Sequence, residues 1–276
     1  MIKKFVTVIV VVIAIFYYYL VHDIPDKQLR VLRVGSECDY VPYSWVTSKE
    51  HEYNFPLANS PGSYVDGYDI QIAKIVADYM NVKLEFRKIA WENLFDALNR
   101  KEIDVIFSGM LDTDERRKLV DFSKTYELNR SEYAILVNIG SGFTGARSLE
   151  DFSGARILGQ KETYFDTVID QIPGVVHVPP VNSISAMLEN VVNFNVDGII
   201  IDADMGSSYE RIYTNLKLIK FPEGKGFKLG FTGVCACVRK GDKDLLDNIN
   251  KAIANLSIRE RKRIMDRVVS RMWENI

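Results

Sequence analysis

The chain has 276 residues, 47% of them hydrophobic and 26% charged, a globular composition long enough for one large domain or two ordinary ones. A formal net charge of -2 gives no long-range pull on nucleic acid, and no Lys/Arg block carries interleaved aromatics. Three cysteines and three histidines with no C-x-x-C pair argue against a structural zinc site, and no metal or cofactor is expected.

The amino terminus is apolar and aromatic from Phe5 to Val21, broken only by Thr7 and preceded by Lys3 and Lys4. At about 17 residues this run reaches the lower limit for a membrane-spanning helix. The bulky end Phe16-Tyr17-Tyr18-Tyr19-Leu20 suits the membrane interface better than a signal-peptidase site, so an uncleaved anchor is expected. Lys3 and Lys4 then stay in the cytoplasm, and residues from about His22 onward lie outside.

From Leu29 strand and helix signals alternate. Val31–Gly35 reads as a strand. Thr47–Val65 has no period and is rich in Asn, Pro, Ser and Gly, which reads as a surface insertion or as a lid. Tyr68–Met80 carries apolar residues at helical spacing, with Asn81 to stop it. Val82–Phe86 alternates as a strand, and Trp91–Asn99 returns to helical spacing with Leu94, Phe95 and Leu98 on one face.

The most informative stretch follows. Ile103–Phe107 is a β-branched strand signal, Ser108-Gly109 ends it with small residues, and Thr113 is a good N-cap for a helix. Ligands bind at such strand-to-helix junctions of α/β sheets. Arg116, in the first helical turn, offers a planar fork suited to a carboxylate.

The same order then returns. Ile157-Leu158 begins a strand, Thr163–Ile169 a helix, Val175–Val178 a strand, Ser183–Val192 a helix and Val196–Asp202 a strand. Val196-Asp197-Gly198 mirrors Ile103-Asp104-Val105, each run holding Asp in its second position. Two similar lobes are implied, and the chain crosses between them around Asn129–Val137 and again after the turn-rich Phe221–Gly226. The expected partition is 1–28 as anchor and linker, 29–129 with 223–276 as lobe 1, and 130–222 as lobe 2. Two crossings define a hinge. Cys235 and Cys237 fall on one face of an apolar strand and are expected as buried thiols; Cys38 pairs with one of them only if the fold brings them together.

With these pieces in order, the chain from Leu29 to Trp273 resembles the bacterial extracytoplasmic solute-binding proteins of polar amino-acid ABC transporters. The motifs are Val34-Gly35-Ser36 leading to Asp39–Tyr43, Gly67-Tyr68-Asp69-Ile70, Ile103–Met110 with Glu115-Arg116, and Val120-Asp121-Phe122-Ser123. Ser148–Gly154, Val196-Asp197-Gly198 through Asp202, and Val238–Asp242 complete the set. The resemblance implies a two-lobed α/β periplasmic-binding-protein-like (Venus-flytrap) fold that closes over an amino acid, works as a monomer and delivers its cargo to ABC permease subunits.

It also implies roles. Arg116 would grip the α-carboxylate, helped by the N–H of Leu111 and the helix start at Thr163. Asp202 would pair with the α-ammonium, with the Gly109 carbonyl as second acceptor, and Tyr40 and Trp91 would wall the side chain. Without the resemblance, Asp202 reads equally as a helix cap, and the two aromatics as core. Leu111 stands where relatives often have Thr or Ser, and Glu162 where Gly is usual. Glu37, with Glu162 and Asp112, hints at a cationic side chain. A second reading is an enzyme resembling the cyclohexadienyl (arogenate) dehydratases, with a buried Glu162 as general acid.

Overall fold

A computed structural model describes residues 30–127, 132–229 and 233–275. The anchor expected over Phe5–Val21 and the start of the first crossing lie outside them. Among the described residues no helix is long and apolar enough to cross a membrane.

The chain opens with β1 (Val31–Ser36), followed by β2 (Asp39–Tyr40), β3 (Ser44–Thr47), β4 (Phe55–Pro56) and β5 (Tyr64–Asp66). Helix α1 (Tyr68–Met80) ends where Asn81 turns left-handed at φ 53°, as its place in the sequence predicts. Then come β6 (Lys83–Lys88), a 3₁₀ turn at Trp91–Asn93, α2 (Leu94–Asn99), β7 (Val105–Ile106), α3 (Asp114–Arg117) and β8 (Val120–Phe122). Strands β6, β1, β7, β14 (Cys237–Arg239) and β8 form the first five-stranded sheet, in that order.

The second sheet is built from the middle of the chain: β9 (Tyr133–Asn138), β10 (Arg156–Leu158), α4 (Tyr164–Thr167), β11 (Val176–His177), α5 (Ile184–Val192), β12 (Gly198–Asp202), α6 (Ala203–Ile212) and β13 (Leu216–Ile219). Its order is β11-β10-β12-β9-β13. Helices α7 (Lys243–Ala254) and α8 (Ile258–Asn275) complete the first lobe, α1 packing on both.

Each sheet has a parallel trio followed by one antiparallel strand, β14 in the first and β9 in the second. Each of those strands is the first to form after the chain changes lobe. The crossings run side by side where they leave the first lobe, since Val234 N–H donates to Glu127 O at 2.9 Å and Tyr126 N–H to Val234 O at 3.0 Å.

The mirrored aspartates prove to be matched clasps. Arg33 donates from Nε and Nη2 to Asp104 at 2.9 and 2.7 Å, and Arg156 does the same to Asp197 at 3.2 and 2.9 Å. Each carboxylate also takes the backbone N–H of its own arginine, so one bidentate pair sets the register of β1 on β7 and of β10 on β12.

Residues 47–65 are neither a structureless insertion nor a lid. Strands β2, β3, β5 and β4 make a small antiparallel sheet, and Leu57 bridges Phe86 on the outer edge of β6. Asn59 fastens this edge, donating to Lys88 O at 2.8 Å and accepting from Lys88 N–H at 3.0 Å. Phe55, Leu57 and Val65 supply the apolar contacts, but Pro, Asn and Gly separate them, so no period is legible. Their work is to cover an edge strand.

The three cysteines are free, buried thiols. The segment Phe221–Leu229, which the expected boundary at 223 divides, packs on the second lobe: Phe221 lies 6.1 Å from Phe152, and Gln171 exchanges two hydrogen bonds with the backbone of Lys228.

Candidate ligand-binding cleft

The floor of the cleft is set by a buried aspartate. Asp69, in the first turn of α1, accepts Gly109 N–H at 2.5 Å and the Tyr126 hydroxyl at 2.8 Å. Burial pushes its carboxyl up to about 7 against those two donors. Gly109 is thereby held at φ +59°, and a Cβ there would meet the Tyr40 ring at 2.5 Å, so only glycine lets that ring lie on the backbone. Sequence reading treated Asp69 only as part of a helix-opening motif. Its signal is a carboxylate between Tyr68 and Ile70 on a face that is wholly buried.

Arg116 lies where the strand-to-helix junction predicts. Thr113 caps the single turn α3, its hydroxyl accepting Arg116 N–H at 3.2 Å. The guanidinium sits 5.2 Å from the Trp91 ring centre and donates to Leu111 O at 3.0 Å and to Glu162 O of the second lobe at 2.9 Å. Burial lowers its pKa from the ordinary arginine value. None of the ion pairs among the described residues involves it. Two of its five N–H donors are occupied by these carbonyls, which leaves donors for an anion.

Asp202 ends β12, is 2% exposed, and lies opposite Tyr133 in the β9 register. It does cap α6, its Oδ1 accepting Asp204 N–H at 2.9 Å. Its charge also reaches the cleft. Burial and then Asp202 push up the phenols of Tyr40 and Tyr133, and at Tyr133 the charge of Arg116 pulls the other way. Tyr133 thus feels the fixed cation of one lobe and the fixed anion of the other.

A cavity of about 40 Å³ remains between the lobes, lined by Glu37, Tyr40, Trp91, Gly109, Leu111, Arg116, Tyr133, Gln160, Thr163, Tyr164 and Phe165 among others. Seven of the eight expected site residues therefore share one wall, and Asp202 stands outside it. The space holds little more than about one or two water molecules, so a larger guest enters only when the lobes part.

Three contacts fasten the lobes besides that of Arg116. Gln160 Nε2 donates to Glu37 at 2.8 Å, Asp39 accepts from Ser185 N–H and Oγ at 3.0 and 2.6 Å, and Tyr40 meets Phe165 edge to face at 6.3 Å. Burial, with the nearby charge of Asp39, pushes the Glu37 carboxyl up to about 8, and the bond from Gln160 holds it back. Gln160, Tyr133, Asp39 and Ser185 carried no sequence signal of their own.

Other expectations shift. Thr163 turns its N–H to Gln160 O at 3.3 Å and its hydroxyl to the same oxygen at 2.7 Å, so the helix start is closed by its own loop. Glu162 adopts φ 62°, the region that favours glycine, with its side chain exposed and 3.8 Å from Lys161; only its carbonyl faces the cleft. It is not the buried acid a dehydratase-like mechanism needs. Asp112 is held by Arg117 at 2.6 and 2.7 Å, which leaves Glu37 as the acid of the expected trio on the cavity wall. His51 and His177 lie away from it, and no group of metal-binding side chains occurs among the described residues.

A family model for bacterial extracellular solute-binding proteins, family 3, matches residues 32–268. The chain belongs to this family. As a family 3 solute-binding protein it acts outside the cytoplasm, and its fold is the two-lobed α/β architecture of periplasmic binding proteins. It is 26% identical over 228 residues to the arginine-binding extracellular protein ArtP of Bacillus subtilis (strain 168), covering 82% of this chain and 80% of that one. A probable histidine-binding protein of Neisseria gonorrhoeae is 25% identical over 238 residues, covering 81% and 77%. The crystal structure of a substrate binding protein of an amino acid ABC transporter superposes with a TM-score of 0.71 at 25% identity, covering 86% of this chain and 98% of that one.

Proposed function

We propose that the chain captures a polar amino acid between its lobes and delivers it to an ABC permease. One observation carries this reading: a guanidinium fork from the first lobe and a carboxylate from the second both act on Tyr133, beside the exposed backbone of Gly109. A zwitterion needs a fixed cation and a fixed anion a few ångströms apart, and each hydrogen bond to a charged group contributes about 1.5–3 kcal/mol. The two groups come from different lobes, so the ligand is fully held only when the cleft shuts. Binding and closure are then one event.

In this reading Arg116 takes the α-carboxylate with its remaining donors, with the Leu111 N–H and Thr163 beside it. Asp202 and the Gly109 carbonyl receive the α-ammonium, and Tyr40 and Trp91 flank the side chain. Glu37 receives the polar end of that side chain. The relatives named for arginine and histidine support a ligand of this class. We further propose that the protein is a monomer, tethered to the outer face of the cytoplasmic membrane by Phe5–Val21, with its lobes divided near residues 130 and 223. Isothermal titration of the full chain against the twenty common amino acids tests the reading. A polar amino acid should bind with saturation; no binding at high protein concentration would overturn it.

A further inference from the structure

We infer that the cleft holds a second ligand site, outside the amino-acid position, which takes a small organic ammonium ion with an apolar body. On the far side of Arg116 a cavity of about 550 Å³ opens between the lobes, more than tenfold the volume of the inner one. Its size is that of a small-molecule pocket. The apolar wall is Trp91, Phe95, Met110 and Leu119. Leu119 is 52% exposed, unusual for a large apolar side chain unless something covers it.

The polar group of this cavity is Glu92. Its Oε2 is buried and has no hydrogen-bond partner among the described residues. Such an atom is costly to leave unmet, and a ligand donor would satisfy it. The cavity favours a cation over an anion. Arg116 already serves two carbonyls, at 3.0 and 2.9 Å, whereas the Glu92 carboxylate is unmet and Glu115 adds negative charge to the same wall. An ammonium group against Glu92, with a hydrocarbon or aromatic body on Phe95 and Leu119, fits both halves of the chemistry.

The test is titration calorimetry on the full chain with phenethylammonium chloride, run beside the uncharged phenethyl alcohol. The expected result is saturable binding of the ammonium below about 1 mM, with the alcohol at least tenfold weaker. Glu92→Gln, close in shape to the native side chain, should weaken the ammonium at least tenfold and leave the alcohol unchanged. Leu119→Gln, on an exposed side chain, should weaken both. Equal binding of the two probes, an unchanged affinity in Glu92→Gln, or no binding at about 10 mM would each overturn the proposal. Amino-acid binding at the inner cleft is measured separately, so either reading can fail alone.

Discussion

Asp39 of the first lobe caps a helix of the second: its carboxylate accepts the backbone N–H of Ser185 at 3.0 Å and the Ser185 hydroxyl at 2.6 Å, in the first turn of α5. A carboxylate at a helix N-terminus is favourably placed, and this one exists only while the lobes are together. Removing it favours the open form. Because the contact is at the exposed rim, its contribution is discounted to about 1 kcal/mol. Asp39→Ala should therefore lower amino-acid affinity about fivefold and raise the radius of gyration of the ligand-free protein in X-ray scattering. Ser185→Ala keeps the N–H bond and should do roughly half as much.

Arg116 bridges carbonyls of both lobes and is proposed to hold the ligand carboxylate as well. Arg116→Ala should cost at least about tenfold in amino-acid affinity, the loss of one charged hydrogen bond. Arg116→Lys should lose nearly as much, since a compact ammonium cannot reach two carbonyls and a carboxylate in one plane. Calorimetry on both variants decides; a lysine variant at full affinity would contradict the fork geometry.

Gly109 combines φ +59° with the Tyr40 ring at 2.5 Å from any added Cβ. Gly109→Ala should destabilise the protein by about 1–3 kcal/mol in urea unfolding, through the left-handed backbone and the displaced ring. Amino-acid affinity should fall in the same variant, because Tyr40 moves with it.

Glu37 yields a pH prediction. Burial raises its carboxyl from an ordinary 4.5 to about 8 in the closed protein, so the folded, closed state binds more protons than the unfolded chain between those values. The sign is that of a raised folded pKa: the contribution is fully present below about pH 4.5 and is lost as pH rises through about 8. Asp69, pushed up to about 7, acts in the same direction. Stability measured by urea unfolding should decline from pH 5 to pH 9, and Glu37→Gln should flatten the upper part of that decline. An unchanged slope in Glu37→Gln would show that Glu37 is not the titrating group.

Much of the scaffold was legible because it rests on local chemistry. Helical spacing marked α1, and Asn81 marked its end. Thr113 and Ser183 were readable as caps, and the repeated aspartates of Ile103-Asp104-Val105 and Val196-Asp197-Gly198 announced two related lobes. Arg116 could be singled out because a strand, two small residues and a cap put it at a junction. Where apolar residues stand singly, as at Phe55, Leu57 and Val65, no period exists, and the small sheet covering β6 was read as a loop.

Tertiary structure alone decided how the cleft is fastened. Asp39 and Ser185 are 146 positions apart, and Glu37 and Gln160 are 123 apart. Nothing in either member of such a pair names the other. The same holds for Asp69, whose carboxylate fixes Gly109 from 40 positions away, and for Glu162, which serves through its carbonyl while its side chain faces solvent. Periodicity and capping are properties of neighbouring residues, so the sequence by itself determined the elements and their order. A buried acid or an interlobe hydrogen bond depends on which surfaces meet, and only folding brings those together.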